Sequence, residues 1–315
     1  MNTAEKDPTM SKPVKFLMHT LVLLSVAALA ACGTTEDEAS PRVVTSQWVA
    51  ERLEGDDLVL LHVGDEEEYN AAHLPGAHYM SLQMISTPHG DGLMLQMPAV
   101  EQLASTFASL GVSDASRIVV YWGKDWVTPT ARVALTLDYL GMGSRTSILD
   151  GGMPAWQAAG HPVTDEQSTP TPGSFAPEVQ PDVIAQVEWL SENLDNPSCA
   201  VVDARTPDFY SGERQSRANP RPGHIAGAQN IPYPSVLDEE TLTFKDEETL
   251  RAMFAEAGAD PGDTVVTYCH IGQQASLVYY VAKSLGYDAR MYDGSFDEWS
   301  QREDLPVETS IPEGE

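Results

Sequence analysis

The chain has 315 residues, of which 47 are Asp or Glu and 18 are Lys or Arg, so its formal net charge is -29 and its isoelectric point is near 4.4. This acidity argues against a nucleic-acid partner, because phosphate backbones are bound by clustered cations. Hydrophobic residues make up 42% of the chain, which excludes wholesale disorder, and the length suits two domains of roughly 100 to 200 residues each.

The first 32 residues have the pattern of an export signal. A segment with three lysines precedes the apolar run Leu21–Leu29, which is too short to span a membrane as a mature helix. The run ends in Leu29-Ala30-Ala31-Cys32, which resembles the lipobox of bacterial lipoproteins, where the signal is cleaved before the cysteine and the cysteine receives the lipid. The resemblance implies an exported protein anchored through Cys32 at the periplasmic face of a membrane, and Gly33 favours the outer membrane. An ordinary secretory signal or an uncleaved anchor is the alternative.

The rest of the chain divides into two halves. A polar tether at residues 33–40 precedes a first domain at residues 41–166, and a proline-rich linker at residues 167–181 leads to a second domain at residues 182–311. Only two cysteines follow Cys32, so we expect no disulfide framework, and the fold depends on its apolar core.

Short apolar runs alternate with longer amphipathic stretches in each half. The predicted strands are Leu58–Val63, Ile118–Tyr121, Thr146–Leu149, Ala200–Asp203, Thr264–Tyr268 and Ala289–Tyr292. The predicted helices are Ala99–Leu110, Thr130–Leu140, Glu247–Ala257 and Gln274–Leu285. This alternation predicts an α/β fold in which each half is a mostly parallel sheet with helices on both faces. Sites in such folds lie at the C-terminal ends of the strands.

The two halves repeat one another. The motif His73-Leu74-Pro75-Gly76-Ala77 matches His224-Ile225-Ala226-Gly227-Ala228, and an Asp-Gly pair followed by a tryptophan occurs at Asp150 to Trp156 and again at Asp293 to Trp299. Matches that recur in the same order indicate two copies of one structural unit.

Cys269 stands where a buried strand meets the start of a helix. It follows the apolar run Thr264–Tyr268 and precedes a loop that contains Gly272, after which a helix is predicted. A loop that curls there directs backbone N–H groups inward, and with the helix dipole these groups stabilise a thiolate or another sulfur anion. Gly272 permits the backbone angles that the curl requires. The position predicts a reactive nucleophile rather than a buried structural cysteine.

At these residues the chain resembles the tandem rhodaneses, sulfurtransferases in which an inactive first domain is joined to a catalytic second one. The family pattern occurs as Asp203-Ala204-Arg205, then as Gly223-His224-Ile225-Ala226-Gly227-Ala228, and then as Cys269 with its six-residue loop ending at Gln274. The resemblance extends over nearly all of residues 41–310 and implies two rhodanese-like domains.

The resemblance implies covalent sulfur transfer that needs no metal or other cofactor. Cys269 would take sulfur from a small anionic donor, hold it as a persulfide and pass it to a thiophilic acceptor such as cyanide, a thiol or a protein. Arg205 matches the substrate-binding arginine, with a structural ion pair as the alternative. Asp203 and His224 match supporting positions. The other substrate-binding positions are the loop residues His270, Ile271, Gly272, Gln273 and Gln274.

The first half lacks these groups. Alignment of the repeat places His62, Gly64 and Trp122 at the positions of the aspartate, the arginine and the cysteine. We therefore expect the first half to be inactive, to pack against the second half and to form one wall of its cleft. His73 either holds its own turn or reaches that cleft.

The stretch between Asp203 and His224 is longer than its counterpart in the first half. It adds three arginines, Arg214, Arg217 and Arg221. In so acidic a chain we interpret them as a positive funnel that guides an anionic donor to Cys269, with a solvated loop as the alternative.

The donor is left open by the loop itself. Thiosulfate-type members carry cationic residues after the cysteine and mercaptopyruvate-type members a Gly-Ser pair, whereas this chain has His270 and Ile271. We expect His270 to supply a pH-dependent positive charge. Thiosulfate is the donor we favour, because the arginines suit a small dianion, and 3-mercaptopyruvate is the alternative.

A cysteine in this position suits two other functions. A phosphatase is disfavoured because Ala275 stands where that chemistry needs an arginine. A binding protein or persulfide relay without turnover is compatible with the same cysteine. Cys199 is interpreted as a buried apolar filler, with a regulatory disulfide to Cys269 as the alternative.

Overall fold

Each half of the chain is organised around its own parallel sheet. The computed structural model describes residues 39–88, 93–125, 127–217 and 219–310, so the export signal and Cys32 lie outside the described residues. From Ala39 onward the two halves form one compact unit.

The first half contains five strands and five α-helices among its described residues. The strands are β1 (Val43–Val44), β2 (Leu58–Val63), β3 (His78–Met80), β4 (Arg117–Trp122) and β5 (Thr146–Leu149). The helices are α1 (Ser46–Ala50), α2 (Glu66–Ala71), α3 (Val100–Ser109), α4 (Val127–Tyr139) and α5 (Gly152–Ala158), with short 3-10 turns at Leu82–Ile85 and Gly143–Arg145. The strands pair in the order β1-β5-β4-β2-β3, and all these pairings are parallel.

The second half repeats this arrangement. Its strands are β6 (Ile184–Ala185), β7 (Cys199–Asp203), β8 (His224–Ile225), β9 (Gln229–Asn230), β10 (Thr264–Tyr268), β11 (Asp288–Tyr292) and β12 (Val307–Glu308). Its helices are α6 (Val187–Glu192), α7 (Pro207–Ser211), α8 (Glu247–Glu256), α9 (Gln273–Ser284) and α10 (Ser295–Gln301), with 3-10 turns at Pro181–Val183 and Tyr233–Val236. The main sheet has the parallel order β6-β11-β10-β7-β9, and β8 pairs with β12 in a small antiparallel ladder.

The predicted fold class is confirmed, and every predicted strand and helix is present with boundaries shifted by a few residues at most. The largest shift is in α4, which begins at Val127 instead of the predicted Thr130 and so has Pro129 in its first turn. Proline is tolerated in the first turn of a helix, because the N–H groups there have no intrahelical partner.

The cores of the two halves meet across a helix pair. α4 packs against α9, and one cluster of buried side chains runs from the first half into the second, including Leu135 and Val278. The opposite face of each sheet is covered by a separate cluster, around Trp156 in the first half and Trp299 in the second. Each central strand is therefore buried on both faces, which explains why these strands are mostly apolar rather than alternating between apolar and polar residues.

The sequence repeat is also a repeat of contacts. The His73 ring stacks on Tyr69 with centroids 4.0 Å apart, and the His224 ring stacks on Tyr210 at 3.9 Å. Each histidine places Nδ1 against the carbonyl oxygen of that tyrosine, at 2.7 and 2.8 Å. Each tyrosine hydroxyl donates to the carbonyl of the alanine that ends the motif, at 2.9 and 2.8 Å. The two halves are therefore built as copies of one unit.

The linker at residues 167–181 follows the surface of the first half. The Ser168 hydroxyl donates to the Ala77 carbonyl at 3.1 Å, and the Glu178 amide donates to the Leu140 carbonyl at 3.1 Å. Among the described residues, no helix combines the length and the hydrophobicity that crossing a membrane requires.

Candidate active site

Cys269 lies between a strand and a helix, as the sequence predicts. It directly follows β10, a central strand, and α9 begins at Gln273. Gly272 precedes that helix with φ +84°, a left-handed conformation that favours glycine, so the predicted curl of the loop is confirmed. The cysteine is fully buried. The N-terminal end of a helix carries partial positive charge, so α9 favours an anion on the sulfur.

Ser295 holds the cysteine from the opposite side. Its Oγ accepts the Cys269 N–H at 3.3 Å and donates to the Tyr292 carbonyl at 2.9 Å. The residue is fully buried and has φ +51°, a strained conformation for a serine, and such strain clusters at functional sites. Sequence reasoning missed Ser295. The available signal was its place directly after the repeated Asp293-Gly294 pair.

Asp203 and Arg205 form a buried ion pair beside Cys269. Asp203 has no exposed surface and Arg205 has 2%. Arg205 Nη2 lies 2.6 Å from Asp203 Oδ2, and Nε donates to both carboxylate oxygens at 3.0 Å. Burial alone would lower the pKa of Arg205, but Asp203 foremost, together with Tyr268 and Cys269, raises it above the ordinary value. The guanidinium therefore stays charged, and the ion pair proposed as the alternative role exists.

The ion pair leaves one nitrogen of Arg205 for another partner. Nη2 also donates to the Gly223 carbonyl at 2.7 Å, and the guanidinium lies over the Phe296 ring at 4.1 Å from its centroid. Nη1 has no hydrogen bond to any residue that the structure describes. Asp203 and Phe296 thus fix the arginine, while Nη1 takes no part in the ion pair.

His270 does not supply the pH-dependent charge expected from the sequence. Burial, and next the charge of Arg205, lowers its pKa to about 4, so the imidazole is neutral at pH 7. Its Nδ1 lies 3.3 Å from Asn219 Oδ1, an acceptor, which favours the tautomer with the proton on Nδ1. Phe209 contacts the ring edge-on at 4.5 Å. The expectation was wrong because the stretch between Asp203 and His224 covers this histidine.

The proposed funnel of arginines is only partly present. Arg214 and Arg217 are exposed, and Arg214 pairs with Asp208 at 3.4 Å and lies over Phe209. Arg221 instead holds the C-terminal segment, since its guanidinium donates to the backbone carbonyls of Trp299, Ser300, Arg302 and Leu305. The funnel is therefore wrong for Arg221, because a guanidinium with four carbonyl partners has a structural role.

The remaining loop residues differ in their surroundings. Gln273 reaches the first half, where its Nε2 donates to Thr128 Oγ1 at 3.1 Å. Gln274 Oε1 is buried and has no hydrogen-bond partner. Ile271 is half-buried. The loop therefore contacts both halves of the molecule.

The two repeat histidines are structural. His224 makes the ring stacking and the Nδ1 contact described above, and through them it supports its turn. His73 is fully buried and also places Nε2 3.2 Å from the Glu166 carbonyl. With both nitrogens occupied, His73 holds its own turn.

Cys199 cannot form a disulfide with Cys269 in this fold. Cys199 pairs with Thr264 at one end of β7 and β10, and Cys269 lies beyond the other end of β10, roughly 16 Å away at about 3.3 Å per residue. Disulfides need Cα atoms within about 7 Å. Burial raises the pKa of the Cys199 thiol to about 11, so it is an unreactive filler, as predicted.

The first half has closed the corresponding site. At the position equivalent to Ser295 the first half has Gly152, with a similar φ of +55°. A Cβ on Gly152 would lie 2.6 Å from the Trp122 indole. The indole thus fills the space that the serine side chain takes in the second half. His62, at the aspartate position, is fully buried and neither ring nitrogen has a hydrogen-bond partner. At these positions the first half therefore has neither a cysteine nor an ion pair like that of Asp203 and Arg205.

The buried His62 makes the fold sensitive to acid. Burial, assisted by His73, lowers the pKa of His62 from 6.5 to about 4. The unfolded chain therefore binds a proton that the folded chain does not, and stability is full above pH 6.5 and is lost as the pH falls toward 4. We expect this one residue to lower the free energy of unfolding by about 2–3 kcal/mol at pH 4.5 relative to pH 7. Urea unfolding of the wild type and His62→Leu at pH 7 and 4.5 measures the difference, and equal losses in the two proteins would contradict it.

Comparison with known proteins identifies the family. The Rhodanese-like domain family matches residues 45–159 and 186–302, one match in each half. The chain belongs to this family and contains its domain twice in tandem.

The relatives narrow the activity. The chain is 31% identical over 279 residues to the thiosulfate sulfurtransferase of Azotobacter vinelandii, covering 87% of this chain and 99% of the relative. It is 32% identical over 287 residues to the 3-mercaptopyruvate sulfurtransferase of Homo sapiens, covering 84% and 95%. A crystal structure of an anaerobic ergothioneine biosynthesis enzyme from Chlorobium limicola shares the fold, with a TM-score of 0.76 at 21% identity over 86% of this chain and 71% of that one. The relatives support a sulfurtransferase activity that uses a sulfur donor and an acceptor.

Proposed function

We propose that the protein transfers sulfane sulfur from thiosulfate to a thiophilic acceptor through a persulfide on Cys269. The thiolate attacks the outer sulfur of the donor, the sulfur–sulfur bond of thiosulfate breaks, and sulfite leaves with the electron pair. The acceptor, for example cyanide, then attacks the outer sulfur of the persulfide. That sulfur–sulfur bond breaks in turn, which releases thiocyanate and restores the thiolate.

The observation that carries this proposal is the position of the Cys269 thiol. Cys269 is buried between the end of β10 and the start of α9, next to the charged Arg205. Its backbone amide donates a hydrogen bond to Ser295 Oγ. In a site shielded from water, fixed positive charge and dipoles stabilise an anionic sulfur more strongly than they would in solution. The same burial protects a persulfide from side reactions.

Thiosulfate is the donor that the arginines favour. Arg205 can offer Nη1 to one end of a small dianion, and the exposed Arg214 and Arg217 lie in the segment that covers the loop. 3-Mercaptopyruvate is the second candidate, because His270 is neutral and the loop therefore lacks a positive charge that would favour the thiosulfate dianion.

A comparison of donors tests the choice. The ratio kcat/KM is measured for thiosulfate and for 3-mercaptopyruvate with cyanide as acceptor, at one low and one high salt concentration. We expect thiosulfate to be the better donor by at least about tenfold, with a preference that shrinks as salt screens the exposed arginines. A preference for 3-mercaptopyruvate would reject the thiosulfate assignment. Persulfide formation without turnover on any small acceptor would favour a relay to a protein acceptor.

We also propose that Cys32 carries a lipid that holds the exported protein at a bacterial membrane, as the pattern at residues 29–32 predicts. Mass spectrometry of the N-terminal peptide from cell membranes tests this directly. A diacylglyceryl-modified Cys32 at the N-terminus is expected. An unmodified Cys32, or a retained signal segment, would reject the proposal.

A further inference from the structure

A buried arginine of the first half touches the active-site loop of the second. Arg132 lies on α4 and has 1% of its surface exposed. Its Nη1 lies 3.0 Å from the position that a Cβ would take on Gly272. The guanidinium therefore packs directly against the left-handed glycine that shapes the loop after Cys269, and a side chain at this position would strain the backbone and crowd the guanidinium.

The arginine is anchored at one end only. Nη2 donates to the Leu95 carbonyl at 2.8 Å and lies 2.6 Å from Asp293 Oδ1, in an ion pair too oblique for a hydrogen bond. Leu95 adopts φ +60°, which is strained for a leucine. Nε and Nη1 are buried without a partner. Burying donors unsatisfied is costly, so their presence at this place indicates a role beyond joining the two halves.

The second anchor, Asp293, belongs to the segment that holds the cysteine. Asp293 and its carbonyl lie within 3.2 Å of the same point beside Gly272, and Ser295, two residues further on, accepts the Cys269 N–H. A second contact from α4 reaches the loop one turn away, where Thr128 accepts from Gln273. The face of α4 with Thr128 and Arg132 thus fixes the loop from its outer side.

We propose that Arg132 is a positioning residue, through which the inactive first half holds the active-site loop of the second half in its reactive form. Its kinetic consequence rests on the proposed sulfur transfer at Cys269, whereas its effect on the loop does not. In this role the first half takes part in the reaction although it has no nucleophile of its own.

Two measurements on Arg132→Met test the proposal, with Arg42→Met as the matched control. Arg42 also belongs to the first half and forms a partly buried ion pair with Asp138, near the C-terminal end of α4. Its guanidinium also contacts the Tyr280 ring and not the active-site loop. In Arg132→Met we expect amide hydrogen exchange in residues 269–274 to be at least about tenfold faster, since the loop has lost its outer support. In Arg42→Met exchange in the loop should stay within about twofold of wild type.

The kinetic measurement separates positioning from binding. We expect Arg132→Met to lower kcat about 10- to 100-fold while KM for thiosulfate changes less than about threefold, because a misplaced nucleophile slows the reaction more than it weakens binding. Arg132→Lys keeps the charge without the planar guanidinium, so its kcat should lie between those of the wild type and Arg132→Met. Unchanged exchange in the loop would overturn the proposal whatever the activity. If the wild type transfers no sulfur, the proposed function fails and the exchange result still decides the role of Arg132.

Discussion

Replacing Cys269 with serine is expected to lower the rate of sulfur transfer by at least about 10⁴-fold, because no other group of the site can form the covalent intermediate. Serine keeps the shape of the side chain, so the amide contact with Ser295 and the fold should be retained. The measurement is the rate of thiocyanate formation from thiosulfate and cyanide, with thermal unfolding recorded alongside.

Cys199→Ser provides the matched control for this substitution. Cys199 is the other free thiol of the described residues. It lies at the start of β7, at the edge of the sheet away from Asp203 and Cys269, where burial keeps it protonated. We expect its activity to stay within about twofold of wild type. A Cys269→Ser protein with more than about a tenth of the wild-type rate, or a Cys199→Ser protein that is inactive, would contradict the assigned nucleophile.

Breaking the Asp203–Arg205 pair is expected to cost about 3–5 kcal/mol of folding free energy, since removing one partner leaves the other charge buried without compensation. Asp203→Asn is the direct test, because the amide has the shape of the carboxylate but no charge. Urea unfolding followed by circular dichroism gives the free energy of unfolding. The loss should appear as a lower midpoint, with the slope unchanged.

Two further variants show whether the cost comes from the unpaired charge. The double variant Asp203→Asn with Arg205→Met removes both charges and should be more stable than Asp203→Asn alone. Glu247→Gln breaks the exposed pair with Arg251 on α8 and should cost less than about 0.5 kcal/mol. A similar small loss for Asp203→Asn would show that the buried pair does not stabilise the fold.

The main strands and long helices could be predicted because their sequences are governed by burial. Strands such as β2 and β10 are covered on both faces and are therefore mostly apolar or β-branched, and α3 has one apolar face. The edge strands β1 and β6 have two residues each, which is too short for any periodicity to be visible. Their positions follow from pairing with β5 and β11, which only the folded chain brings together.

The candidate site could be predicted only where one short segment contains it. Cys269 and Gly272 belong to a single strand–loop–helix segment, so their arrangement follows from local sequence. The neutral state of His270 depends first on its burial, under residues such as Asn219 and Phe209, and next on the charge of Arg205, all of which come from a distant part of the chain. Arg132 comes from the other half of the molecule, and nothing in its helical sequence indicates the loop that it contacts.

The most direct test is the mass of the intact protein before and after incubation with thiosulfate, and again after cyanide, with Cys269→Ser treated in parallel. The wild type should gain about one sulfur atom, located on the peptide that contains Cys269, and cyanide should remove it. The variant should gain nothing. A wild-type protein that remains unmodified by both thiosulfate and 3-mercaptopyruvate, or sulfur that persists in Cys269→Ser, would contradict a persulfide mechanism at this cysteine.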